Sequence, residues 1–89
     1  MSYSVEFSED AVKQIKKLDE YTRRMMYNWL HKHLEGSDDP YSSGHALKGS
    51  LKGLWRYRIG DYRLIAKIEK ERLVILVLEI GRRSSIYDR

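Results

Sequence analysis

The stretch Trp55-Arg56-Tyr57-Arg58-Ile59-Gly60-Asp61-Tyr62-Arg63 sets three arginines and three aromatics around a Gly-Asp pair. Glycine and aspartate between runs of alternating apolar and polar residues predict a tight hairpin turn. Successive strand side chains point to opposite faces, so Trp55, Tyr57 and Ile59 share one face, and Arg56 and Arg58 share the other. The aromatic face reads as core. The arginine face carries two readings, a solvated outer surface or an anion site, because guanidinium is flat, permanently charged and forked to match phosphate.

Outward from this hairpin, three strands are expected over Leu54 to Ile59, Tyr62 to Glu69 and Arg72 to Ile80, with a second turn near Lys70-Glu71. The segment LVILVLEI is apolar at nearly every position, which predicts a central strand covered on both faces. Toward the N-terminus, Tyr3, Val5 and Phe7 alternate with polar residues as in a short half-buried strand. Ser8 then caps a helix whose first turn holds Glu9 and Asp10 and whose apolar stripe is Ala11, Val12, Ile15 and Leu18. Asp19 caps a second helix, with Met25, Met26, Trp29, Leu30 and Leu34 recurring at helical spacing until Gly36 ends it. The run SDDPYSSG, with the only proline, reads as a loop.

Eighty-nine residues predict one small domain, 1–89, near the lower end of what a single core can stabilise. There is no cysteine, so disulfides and thiolate metal sites are excluded. No apolar run reaches the roughly 20 residues a bilayer-spanning helix needs, and the start lacks a secretory signal pattern, so a soluble cytoplasmic protein is expected. Charge is uneven. Residues 1–44 hold six Lys/Arg against eight Asp/Glu, whereas residues 45–89 hold eleven against five, a local excess of +6 that suits a polyanion or an acidic partner.

Several chemistries find no support in the spacing. His31 and His33, two apart on a helix, face different directions, and Asp38-Asp39 sits in a loop away from other carboxylates, so neither a zinc site nor a two-metal nuclease is indicated. No phosphate-cradling glycine loop or serine elbow is found, and no cofactor is implied. RNA can be cut without metal if the 2′-hydroxyl is activated, the phosphorane is stabilised by cations and the leaving oxygen is protonated. Arginine and tyrosine supply part of that set.

The run HALKGSLKGLWRYRIGDYRLIAKI, then LVILVLEI and GRRSSIY, resembles the RelE/ParE toxin superfamily of prokaryotic toxin–antitoxin modules, through its LKG, GDYR and G-x-R-x-x-x-Y motifs. The N-terminal strand and helical hairpin extend the resemblance over nearly the whole chain. It implies an α+β fold of order β-α-α-β-β-β, with the helical hairpin on one face of a small, mainly antiparallel sheet like that of microbial ribonucleases. It further implies a toxin that cuts messenger RNA, typically in the ribosomal A site, and a cognate antitoxin that lays an acidic, partly helical segment over the basic half. Transferred to this chain, the catalytic positions are Arg56, Arg58, Arg63, Arg83 and Tyr87. Lys48, Lys52 and Arg82 would hold RNA. Arginine does not deprotonate at neutral pH, so the base must be another group, and His45, just before LKG, is the candidate. Two other readings stay open: a ParE-branch toxin that poisons DNA gyrase, and a non-catalytic RNA-binding module.

Overall fold

The computed structural model describes residues 2–82. Its elements run β1 (Ser4–Phe7), α1 (Glu9–Lys16), α2 (Glu20–His33), β2 (His45–Ala46), a 3-10 turn at Gly49–Leu51, β3 (Trp55–Ile59), β4 (Tyr62–Glu69) and β5 (Val74–Arg82). The strands form one sheet in the order β1-β5-β4-β3-β2, antiparallel except for the β1–β5 pair. The expected α+β layout holds, with one addition. His45 and Ala46, outside the strands expected from sequence, form a two-residue strand because they pair with Arg56 and Trp55.

Both helices start where capping residues stand. The Ser8 hydroxyl accepts from the Ala11 amide at 3.1 Å, and the Asp19 carboxylate accepts from the Thr22 hydroxyl and amide. Those two bonds, the hydroxyl first, hold the Asp19 carboxyl below the usual carboxylate range. After α2 the chain turns through Gly36 at φ +79°, a left-handed conformation that glycine adopts without steric cost. The turn then seals the outer edge of β1. The Gly36 amide donates to Tyr3 O and the Tyr3 amide to Ser37 O, both at 2.8 Å, while Glu35 accepts from the Val5 amide at 3.0 Å. An edge strand is thereby closed to stray pairing along that stretch.

Strand register decides which side chains meet the helices. Tyr57, Ile59, Leu64, Ala66, Ile75, Val77 and Ile80 are buried against Ala11, Ile15, Met26, Leu30 and Leu34. The aromatic face of the hairpin is thus core, as its alternation predicts. Tyr57 is fully buried, stacks at a tilt on Trp29 with centroids 5.9 Å apart, and donates its hydroxyl proton to Pro40 O. Burial pushes that hydroxyl's pKa upward. Trp55, half-buried, donates its indole N–H to Tyr41 O at 3.1 Å.

The end of β5 departs from simple alternation. The ladder pairs Ile65 with Glu79 but Ala66 with Val77, so Leu78 is an extra residue in β5, a β-bulge. Counting by twos from the buried Val77 would turn Glu79 inward and Ile80 outward; the bulge reverses both. Ile80 is 4% exposed, in the core, and Glu79 shares a face with Ile65. Helix α1 grips the strand on both sides of this point. The Ser8 hydroxyl donates to Leu78 O at 3.1 Å, and the Ile80 amide donates to the Gln14 side-chain oxygen at 2.6 Å. These bonds satisfy β5 backbone groups beyond the end of β1. The strand begins at Val74 rather than Arg72, because Leu73 at φ +54° still belongs to the turn.

Candidate nucleic-acid interface

Residues directly opposite in antiparallel strands project to the same side, so the register builds the outer face row by row. One row runs His45, Arg56, Ile65, Glu79 across β2, β3, β4 and β5. The next row runs Arg58, Arg63, Gly81 across β3, β4 and β5. Arg56, Arg58, Arg63 and His45 are therefore brought together on one face, opposite the helices. That convergence links a sequence pattern to a site.

The arginines differ in environment. Arg58 is exposed, Arg56 is half-buried, and Arg63 is only 3% exposed, its Nη1 lying 3.4 Å from Tyr62 O. Sequence alternation places Arg63 on this face but says nothing of its burial. Arg58 and Arg63 oppose each other directly. Of the two, Arg58 is the one open to solvent.

His45 owes its place to a close approach. A Cβ on Gly44 would lie 2.5 Å from Arg56 O and 2.8 Å from ring atoms of both Trp55 and Tyr57. Only glycine lets the chain rest on β3 there, and that contact sets His45 beside Arg56. Gly44→Ala is accordingly expected to lift β2 off β3 and to cost about 1–3 kcal/mol, as overpacking does. Urea unfolding measures the cost, and faster hydrogen exchange at the Arg56 amide reports the lifted strand.

Other expected positions fall elsewhere. Lys48 and Lys52 are exposed on the loop that joins β2 to β3, near the start of β3. Arg82 pairs with Tyr62 and lies over its ring at 5.5 Å, so it shares the face of Ile59 and Ile80 rather than that of Arg56. Arg83 and Tyr87 lie outside the described residues. Among the described residues no three His, Asp or Glu side chains gather as a metal site would require.

Glu79 was not anticipated. It stands half-buried on the arginine face at the far end of the His45 row, and the available signal was a single carboxylate inside an otherwise apolar strand.

A helical hairpin on one face of a small mixed sheet is the α+β layout of the solved RelE toxin structures. The chain belongs to the RelE/ParE superfamily of type II toxin–antitoxin toxins: residues 5–87 match the family model described as ParE toxin of type II toxin-antitoxin system, parDE. It is 30% identical over 90 residues to a putative RelE-like toxin protein of Escherichia coli, covering 99% of this chain and 93% of that one. It is 29% identical over 89 residues to toxin RelG of Mycobacterium tuberculosis, covering all of both. Among solved structures, the RelBE2 toxin–antitoxin complex of Mycobacterium tuberculosis superimposes with a TM-score of 0.84 at 25% identity, covering 94% of each chain.

Proposed function

We propose that this toxin is a metal-independent messenger RNA endonuclease of the RelE type, acting in the ribosomal A site. The carrying observation is the register that sets Arg58 opposite Arg63 with Arg56 two residues along the same strand. Arg56 and Arg58 on a strand-borne face, with the buried Arg63 adding its charge from beneath, suit the negative charge that grows on the non-bridging oxygens as a phosphodiester becomes a phosphorane. Strands rather than loops hold the groups, so donors need little reorganisation during reaction. Attack by the 2′-hydroxyl leaves a 5′-hydroxyl on one fragment and a cyclic or 3′-phosphate on the other. Arg83 and Tyr87 complete the set by resemblance: Arg83 as a further phosphate donor, Tyr87 stacking on a base or assisting the nucleophile.

A cognate antitoxin is part of this reading. The matching solved structures include toxin–antitoxin complexes, among them RelBE2. An acidic, partly helical antitoxin segment folding over the arginine face would cover the charges that RNA needs.

A second reading has its own support. The matching family model is described as ParE toxin, and the resemblance to that branch implies a poison of DNA gyrase that does not cut RNA. One experiment separates the two. The protein is induced in a bacterial host, messenger RNA 5′ ends are mapped, and gyrase supercoiling is assayed in parallel. New 5′-hydroxyl ends with normal supercoiling are expected; stalled supercoiling with intact RNA would overturn the nuclease reading.

A further inference from the structure

The β3–β4 ladder stops at Trp55 and Ala66, whereas β4 runs on beside β5 to Glu69. Residues 67–69 thus form a ledge at the end of the sheet, and a cavity of about 390 Å³ opens beside it, with Tyr41, Lys67, Ile68, Lys70 and Arg72 among its walls. That volume falls in the range of small-molecule sites, roughly 300–1,000 Å³.

The walls are held in place. Tyr41 O accepts the Trp55 indole N–H at 3.1 Å, and the two rings meet edge to face with centroids 5.0 Å apart. At the rim, Arg72 lies 3.1 Å from the Glu69 carboxylate and 3.4 Å from that of Glu6. Lys70 is exposed, and its Nζ lies over the Tyr41 ring at 5.4 Å. Both residues line the cavity, so a face of the ring is turned to it. Packing on Trp55 accounts for the edge contact of Tyr41, but not for a ring face left to an exposed lysine. Glu69 is engaged by Arg72, which leaves Lys67 and Lys70 against Glu71 and a positive balance in the cavity.

The cavity adjoins the arginine face. Ile65 stands opposite Arg56, and Lys67 follows on the same side of β4, about 7 Å along the strand. Lys67 belongs to that face and to the cavity at once. A strand of RNA with one phosphate at Arg56 therefore meets Lys67 with its neighbouring phosphate, and that nucleotide's base turns over the end of β4.

Resting on the nuclease reading, we propose that Tyr41 is the platform of a nucleobase subsite, on which the base of a nucleotide beside the cut stacks while Lys67 holds its phosphate. This base is additional to the one that the resemblance gives to Tyr87. An aromatic face with positive charge beside it is the combination by which proteins hold single-stranded nucleic acid. Lys70 swings off the ring to admit the base. Every base has a π-face, so the subsite requires a base without fixing which one. A platform remote from the reacting bond holds substrate and transition state alike. Its loss therefore raises the half-saturating concentration and leaves the saturated rate intact.

The test is single-turnover cleavage on programmed ribosomes, with toxin concentration varied and the message carrying an abasic nucleotide at each position flanking the cut in turn. Tyr41→Leu keeps bulk against Trp55 but has no π-face. It should raise the half-saturating concentration about 5- to 100-fold, as loss of one base–aromatic stack does, with the saturated rate within twofold of native. Tyr41→Phe should match native. At one flanking position the abasic message should weaken native toxin by the same factor, and Tyr41→Leu should be indifferent to that lesion, because both changes remove one contact. Lys67→Ala should lower the log–log salt slope by about 0.7, the share of one phosphate on a single strand. Thermal unfolding checks each variant. Should Tyr41→Leu fail to fold, Tyr41→Trp offers a broader face and should widen the gap between intact and abasic messages. A folded Tyr41→Leu toxin within twofold of native, losses that add at every position, or native toxin indifferent to every abasic lesion overturns the subsite. Native toxin that cuts no RNA overturns the nuclease reading itself, a failure visible before any variant is made.

Discussion

Arg56→Ala is expected to lower RNA cleavage about 100- to 1,000-fold while the protein stays folded. The size follows from where the charge sits. Arg56 lies between His45 and Ile65 in the row that ends at Glu79, and Arg58 and Arg63 form the adjacent row. In the proposed reaction a phosphate bridged by these rows meets Arg56. Removing a preorganised donor withdraws stabilisation that is strongest in the transition state, so the rate constant falls more than binding does. The fold should tolerate the change because β3 is held by its backbone ladder and by Tyr57 and Ile59 on the opposite face. Arg56→Lys restores charge but not the forked, planar contact, and should recover only part of the loss. The measurement is single-turnover cleavage, with growth arrest on induction as the cellular readout. An Arg56→Ala toxin that cuts within threefold of native would move the phosphate away from this row.

Local chemistry made much of this fold legible. Ser8 and Asp19 announce the helices because a cap acts on amides only three residues away. Trp55, Tyr57 and Ile59 separate from Arg56 and Arg58 because strand alternation is a property of the backbone itself. What escaped the sequence depends on distant partners. β2 is two residues long, too short for any period, and exists because Gly44 can rest on β3. Arg63 is buried by tertiary packing that alternation does not report. Glu79 escaped for the sharpest reason: its orientation depends on a bulge gripped by residues 66 and 70 positions earlier in the chain. The candidate site was therefore legible as a set of arginines on one face, but not as a row with a carboxylate at one end and a histidine at the other.

Leu64→Ala is expected to abolish growth arrest by a different route, through the fold. Leu64 is fully buried in the middle of β4, with Tyr57 opposite it on β3 and Ile80 opposite it on β5. Truncation removes buried methyl groups and leaves a cavity between three strands and the helices, at a cost of about 2–5 kcal/mol. For a chain of 89 residues a total stability of about 4–13 kcal/mol is typical, so the loss is a large share of the whole. The arginines flanking this position along the sheet belong to the other face, so their chemistry is untouched in the molecules that remain folded. Two measurements separate this route from the loss of a catalytic group. Urea unfolding should show the destabilisation directly, and cleavage per folded molecule at low temperature should stay within a few-fold of native. A Leu64→Ala toxin as stable as native would mean that the helices do not close on β4 as described. One that is folded yet fails to cut would mean that the inner face shapes the outer one more tightly than strand register implies.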